Sequence, residues 1–316
     1  MKLGFFTDVH ARLDNPSSRS DWFPKTIIEK LERVGEIFKN EGVQFALNGG
    51  DTTHIPSPSL SLVNRLTRVF KDWQIPIIAI TGSHDVHGYQ QLTLERTAVG
   101  ELVAAGLFHM VGCTNYPKYI DLDNKVRVYG TGYMHAFDAR EFSVLDPEHN
   151  SKLIIQMIHA DLLDKPVPWQ YVLVNQVYTN AQLVLSGHYH PGWKEGIVSG
   201  TSTFFNPGSI GRIERGPYRI PRVMIIDTKP SRPGVLYDYK FVDVPCDPHP
   251  FTEKPLDKVE EMTMDINQFV SLLDLAQVEI VDVKGKIPIL GRELELSEEV
   301  IDRTIQLLER PEKKEK

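Results

Sequence analysis

Apolar residues recur along this chain in two rhythms, and the balance between them changes near the middle. Residues 25–40 place Ile27, Ile28, Leu31, Val34, Ile37 and Phe38 on one stripe at helical spacing, and Gly42 ends the run. Residues 61–73 repeat that spacing through Leu62, Val63, Leu66, Val69, Phe70 and Trp73. A third helix is expected over residues 94–105, capped by Thr93 and closed by Gly106. Before and between the helices stand short, largely apolar runs at 3–6, 43–47 and 77–80, as in strands buried on both faces. Strand and helix alternate, which predicts βαβ units around a parallel sheet.

Further on, the helical rhythm fades. Strands are expected over residues 126–129, 153–159, 182–185, 196–198 and 203–205, and the β-rich run continues through 222–226 and 235–242. The economical architecture is an α/β sandwich of two packed sheets flanked by helices. Pro245, Pro248, Pro250 and Pro255 then crowd a short stretch. It predicts a linker over residues 244–258 after a main domain of residues 1–243. Beyond it, residues 259–310 are expected to form a small α+β unit. Asp265 can cap a helix carrying Ile266, Phe269, Val270 and Leu273, residues 278–283 read as a strand, and Ser297 can cap a helix carrying Ile301, Ile305 and Leu308. Such a unit holds little core alone, so it is expected to cap the main domain or meet a partner. Residues 311–316 are a charged tail.

A formal charge of −7 argues against a protein that coats nucleic acid by bulk electrostatics. It does not exclude a nuclease, because bound cations supply positive charge that a sequence count omits. Arg212, Arg215, Arg219 and Arg222, set against only Glu214, form either a solvated hairpin or an edge that contacts phosphate. The two cysteines, Cys113 and Cys246, lie far apart and in no metal-binding spacing, which fits a reduced, cytoplasmic chain. Met1 and Lys2 run straight into the first strand, so no signal peptide is expected, and no apolar run approaches the length of a membrane span.

Six polar clusters interrupt these patterns, most of them directly after a predicted strand: Asp8-Val9-His10, Gly49-Gly50-Asp51, Gly82-Ser83-His84-Asp85, His159, Gly187-His188-Tyr189-His190 and Asn206-Pro207-Gly208-Ser209. Side chains at the carboxyl ends of neighbouring strands can meet in one crevice. Two divalent cations about 3.5–4 Å apart need a bridging carboxylate and flanking imidazoles. Asp51 is placed to be the bridge. Asp8 and His10, two residues apart on an extended chain, can grip one ion. A turn at Gly187 could send His188 and His190 to different ions. Mixed carboxylate and imidazole donors suit manganese, iron, zinc or nickel better than calcium or magnesium. A closed structural zinc site is set aside, because both cysteines lie elsewhere.

The series resembles the calcineurin-like metallophosphoesterase superfamily, whose blocks run Asp-X-His, Gly-Asp, Gly-Asn-His-Asp/Glu, His and Gly-His-X-His. The resemblance covers residues 1 to about 243 and implies that family's four-layer sandwich. It implies that Asp8, His10, Asp51 and His190 hold one metal and that Asp51, His159 and His188 hold the other. His84 would be the catalytic histidine, and Asp85 would orient a neighbouring imidazole. The family's asparagine ligand to the second metal is Ser83 here, which implies a looser second site.

Within that superfamily the chain most resembles the SbcD-type (meiotic-recombination-eleven) DNA repair nucleases. His54 follows the bridging aspartate at three residues, residues 208–214 resemble the segment after the site, and the tail beyond Pro255 resembles a capping domain. The length also matches a nuclease domain plus a small cap. This implies DNA as substrate, manganese as the metal pair (magnesium, iron, zinc or nickel being possible), a coiled-coil ATPase of SbcC type as partner, and a homodimer. His54, Arg212 and Arg215 would contact DNA. No Gly-X-X-X-X-Gly-Lys-Ser/Thr loop occurs, so any ATP use falls to the partner. Two other readings remain: a free-standing phosphoesterase acting on small phosphodiesters or phosphomonoesters, and a non-catalytic scaffold with a decayed metal site.

Overall fold

A computed structural model describes residues 1–134, 138–168, 170–213, 219–230, 234–247 and 250–251. The chain divides into two compact units, Met1–Lys254 and Pro255–Lys316. The expected cap, its helices and strand, the charged tail and Arg215 lie outside the described residues.

The first third alternates as its apolar spacing dictates: β1 (Lys2–Phe6), α1 (Phe23–Glu41), β2 (Phe45–Asn48), α2 (Leu60–Trp73), β3 (Ile77–Ala79), α3 (Ala98–Ala104) and β4 (Phe108–Met110). The next run is β5 (Tyr119–Asp123), β6 (Val126–Thr131), β7 (Leu153–Ala160), the short pair β8 (Leu162–Leu163) and β9 (Val172–Leu173), then β10 (Leu183–His188), β11 (Ile197–Ser199) and β12 (Ser202–Phe205). Two last strands, β13 (Arg222–Asp227) and β14 (Asp238–Asp243), follow. The first sheet runs β14-β13-β1-β2-β3-β4 and the second β11-β12-β10-β7-β6-β5. Both are mixed: the first is antiparallel at its β14-β13-β1 side and parallel from β1 to β4, and the second is parallel at its centre with both edges antiparallel.

Strand alternation builds the layers. On β7, Leu153, Ile155 and Met157 face the first sheet, where they join Leu3, Phe5 and Leu47 in one buried cluster. Ile154 and Ile158, on the opposite face, join Phe142, Val174 and Trp193. The helices cover the outer side of the first sheet through Phe38, Phe70 and Trp73. Among the described residues, the β8-β9 pair, loops and single 3₁₀ turns cover the outer side of the second.

One expectation needs correction. Residues 94–105 are not one helix: a 3₁₀ turn over Gln91–Arg96 precedes α3, and the cap is Thr97, whose hydroxyl accepts from the Gly100 amide at 3.2 Å. The strands β13 and β14 belong to the first sheet, where β13 is buried on both faces and pairs antiparallel with β1. Parts of the proline-rich stretch pack within the first unit. Val244 is fully buried, and the Pro250 carbonyl accepts from the Ser20 amide at 2.9 Å.

One charge breaks the apolar face of α1. Lys30 is 1% exposed, and its ammonium donates to the carbonyls of Ile210 at 2.9 Å and Gly211 at 3.2 Å. Burial pushes its pKa down to about 7, against about 10.4 for a lysine in an unfolded chain. Between those values the unfolded chain binds a proton that the fold sheds. Stability from this group therefore rises with pH across that window and is lost as pH falls through 7. The urea stability of the wild type is expected to gain on that of Lys30→Met by up to on the order of 1 kcal/mol per pH unit from pH 7 to 9. Parallel curves for the two proteins would refute this.

Candidate metal centre

The convergence begins in the backbone. Beyond the ends of β1 and β2 the two chains stay paired: Asp8 N–H donates to Gly50 O at 3.0 Å and His10 N–H to Asp51 O at 2.9 Å. Asp8 (φ 54°), His10 (φ 49°), Asp51 (φ 53°) and His188 (φ 76°) all adopt the left-handed conformation. L-residues with side chains avoid that region, and such strain clusters at functional sites. Asp8 and His10 therefore meet across a left-handed turn rather than along an extended strand. Gly50 (φ 95°) admits a close approach, since a Cβ there would stand 2.7 Å from His159 Nδ1.

Two groups of ligand atoms result, Asp8 with His10 and His190, and Asp51 with His159 and His188. In the first, His10 Nε2 and His190 Nε2 stand 2.9 Å apart, with Asp8 Oδ1 at 3.9 and 3.8 Å. In the second, His159 Nε2 lies 3.2 Å from Asp51 Oδ2 and 3.2 Å from His188 Nδ1. Asp51 Oδ2 also lies 3.6 Å from His10 Nε2, so one carboxylate oxygen serves both groups. Metal–ligand bonds of about 2.0–2.2 Å separate neighbouring ligands by about 3–3.5 Å, which these spacings approach. Imidazole nitrogens aimed at each other and at carboxylates suit divalent cations.

Electrostatics agree. Burial drives His10 well below the ordinary imidazole range and His188 down to about 3, which holds both in the neutral, ligating form. Burial pulls on His159 too, but the Asp51 carboxylate outweighs it and raises the imidazole to about 9. Burial likewise opposes ionisation of Asp51, yet His159 and His84 hold its carboxyl well below the usual range. The metal-free site thus stores one imidazolium against the shared carboxylate, a proton that a metal must displace.

The remaining sequence-predicted residues fall into place unevenly. His84 lies just outside the two groups, its backbone amide donating to Asp51 Oδ1 at 2.8 Å. Its Nδ1 meets the His54 carbonyl at 2.7 Å, which leaves Nε2 for chemistry. His54 is drawn into the site, its ring stacked on His84 at 5.1 Å. Ser83 donates its hydroxyl to Asp51 Oδ2 at 3.3 Å, so here it serves the bridge. Asp85 does not orient an imidazole. Its carboxylate accepts from the amides of Thr52 (2.9 Å), Thr53 (3.2 Å) and Gly82 (2.9 Å), tying the loop after β2 to the loop after β3. Arg212 is 6% exposed, with its guanidinium against Phe251, a placement that does not suit a surface contact to DNA. The Asn206–Ser209 turn acts as a brace: Asn206 Nδ2 donates to Tyr189 O at 3.1 Å and Ser209 N–H to His190 O at 3.0 Å.

Sequence reading missed the supports. The Gly49 carbonyl accepts from His159 Nδ1 at 2.6 Å and so turns Nε2 toward Asp51. The Thr7 hydroxyl donates to Asp8 Oδ2 at 2.8 Å. Asp161 Oδ2 lies 3.9 Å from His188 Nε2, and the Tyr133 ring packs 5.0 Å from that imidazole. Asp161 was discoverable, since it stands two residues after a predicted ligand. Tyr133 carried no local signal.

Residues 1–231 match the calcineurin-like phosphoesterase superfamily domain. Among curated proteins the chain is similar to the double-strand break repair protein MRE11 of Encephalitozoon cuniculi (strain GB-M1), at 22% identity over 58% of this chain. The chain spans 38% of that relative's length. Among solved structures it is similar to a dimetal phosphatase from Danio rerio, at 9% identity over 72% of this chain and 94% of that one, with a TM-score of 0.48. It is also similar to an archaeal phosphodiesterase, at 17% identity over 77% of this chain and 100% of that one, with a TM-score of 0.39.

Proposed function

The chain belongs to the calcineurin-like phosphoesterase superfamily and is a metal-dependent phosphoesterase; from that premise we propose that it is a DNA nuclease of SbcD type. The carrying observation is the pair of ligand groups that share Asp51, with His84 beside them and His54 stacked on it. Asp8, His10, Asp51 and His190 would hold one ion, and Asp51, His159 and His188 the other, with manganese the proposed metal. Bound there, the ions supply charge to neutralise the phosphoryl oxygens and to lower the pKa of an attacking water.

The protein's own part is positioning and proton transfer. Asp51 fixes both groups about one oxygen. As an imidazolium, His84 keeps its Nδ1 proton on the His54 carbonyl and gives its Nε2 proton to the departing alkoxide. His54, stacked on that ring, would contact the strand beside the scissile bond. The SbcC-type ATPase, dimerisation and a cytoplasmic setting belong to the same proposal. Among the described residues no helix is long and apolar enough to cross a membrane.

A free-standing phosphoesterase for small diesters is the second reading, and the burial of Arg212 favours it by removing one expected DNA contact. Rates on linear duplex DNA and on bis(4-nitrophenyl) phosphate in manganese separate the two. A nuclease degrades DNA ends and loses that activity in His84→Ala. Turnover of the chromogenic diester without any DNA cleavage would refute the nuclease.

Ser83 offers a sharper test of the second ion. Ser83→Asn introduces an amide oxygen next to Asp51, and the manganese concentration for half-maximal activity should fall by about tenfold. An unchanged requirement would mean that Ser83 does not limit metal binding.

A further inference from the structure

We propose that His10, His54 and His84 form a third cation site, made wholly of imidazoles, which takes zinc-like ions and switches the enzyme off by capturing His84. The site stands on geometry alone, while its consequence rests on the role proposed for His84.

These three residues offer ligand atoms within 4.8 Å of one another. The rings of His10 and His84 meet edge to face at 4.9 Å, those of His54 and His84 stack at 5.1 Å, and those of His10 and His54 stand 5.8 Å apart. They come from the loops after β1, β2 and β3, neighbouring parallel strands, so the triad is held by the sheet rather than by a mobile surface. His10 Nδ1 and His54 Nδ1 are buried without a hydrogen-bond partner. A polar atom left so is costly, and that cost is relieved by a ligand. The His54 carbonyl engages His84 Nδ1, so the atom His84 offers is Nε2, the one that the reaction requires.

Donor chemistry separates this triad from the pair. Both groups of the pair contain a carboxylate, whereas the triad contains none. Neutral nitrogen donors select zinc, copper or nickel over manganese and magnesium. Manganese therefore fills the pair and leaves the triad empty. Excess zinc enters both, with His10 keeping Nε2 on the pair and giving Nδ1 to the triad as a bridging imidazolate whose ring proton is released to solvent, and an ion on His84 Nε2 occupies the lone pair that must carry the proton.

The test is equilibrium dialysis of the metal-free full chain against graded free zinc, with ions per chain counted by elemental analysis. Wild type is expected to bind one zinc more than His54→Ala and His54→Gln, while all three bind equal manganese. Equal zinc counts would overturn the site, and so would a parallel loss of manganese, which would mean a collapsed loop rather than a lost ligand. Cobalt(II) gives a second readout. A visible band from a nitrogen-only site should persist in Asp51→Asn and vanish in both His54 variants, and the reverse pattern overturns the proposal. Should Asp51→Asn keep every ion that wild type binds, the two-metal reading fails while the triad stands.

Discussion

Asp51→Asn is expected to lower kcat/KM on a chromogenic diester by about 10³-fold or more and to reduce bound manganese. Metal-ion stabilisation of a phosphoryl transition state amounts to several kcal/mol, and each decade of rate corresponds to about 1.36 kcal/mol. Asp51 Oδ2 faces both groups at 3.6 and 3.2 Å, while Oδ1 is held by the His84 amide. In asparagine the oxygen keeps the His84 amide, so the NH₂ turns toward the imidazoles. A donor then stands where a cation needs lone pairs. The variant loses both the shared charge and the bridge. Thermal unfolding of the metal-free protein establishes that the variant is folded. Full metal content with more than a tenth of wild-type activity would eliminate Asp51 as the bridge.

His84→Ala should behave differently, with kcat down by about 10²–10⁴-fold and metal content unchanged. The two ligand groups do not include His84, so their geometry survives its loss. Dependence on the leaving group distinguishes proton donation from mere support. Nitrophenolate departs without a proton, so the deficit should shrink on an activated ester and be full on alkyl esters or DNA. Equal losses on both classes would assign His84 to electrostatic support, and loss of metal would assign it to the scaffold.

Much of the site was legible because metal ligation restricts chemistry so severely. Asp8, Asp51, His159, His188 and His190 were visible as polar residues where apolar runs stop, a place where a core strand has no use for them. The same logic failed for Asp85 and Arg212, whose residue types suit several roles and whose partners are chosen by the surrounding backbone. Asp85 found three amides and Arg212 found Phe251, and neither choice has a spacing that could announce it. The helix expected over 94–105 failed for a local reason, because Thr97 offers a better cap than Thr93 and interrupts the run.

Periodicity by itself determined that helices α1 and α2 bury one face and that β1, β2 and β3 run between covered surfaces, since the 3.6 and 2 residue repeats are properties of a single segment. The polar clusters at the ends of the apolar runs supplied the candidate ligands. Only the tertiary structure decided that β13 returns to β1, that Asp51 Oδ2 stands between two imidazole groups, and that His54 stacks on His84. Those facts depend on register between strands far apart in sequence and on left-handed turns at Asp8, His10 and Asp51. Such turns are locally unfavourable, so they exist only because the surrounding packing and hydrogen bonds over-determine them, and no local pattern records that balance.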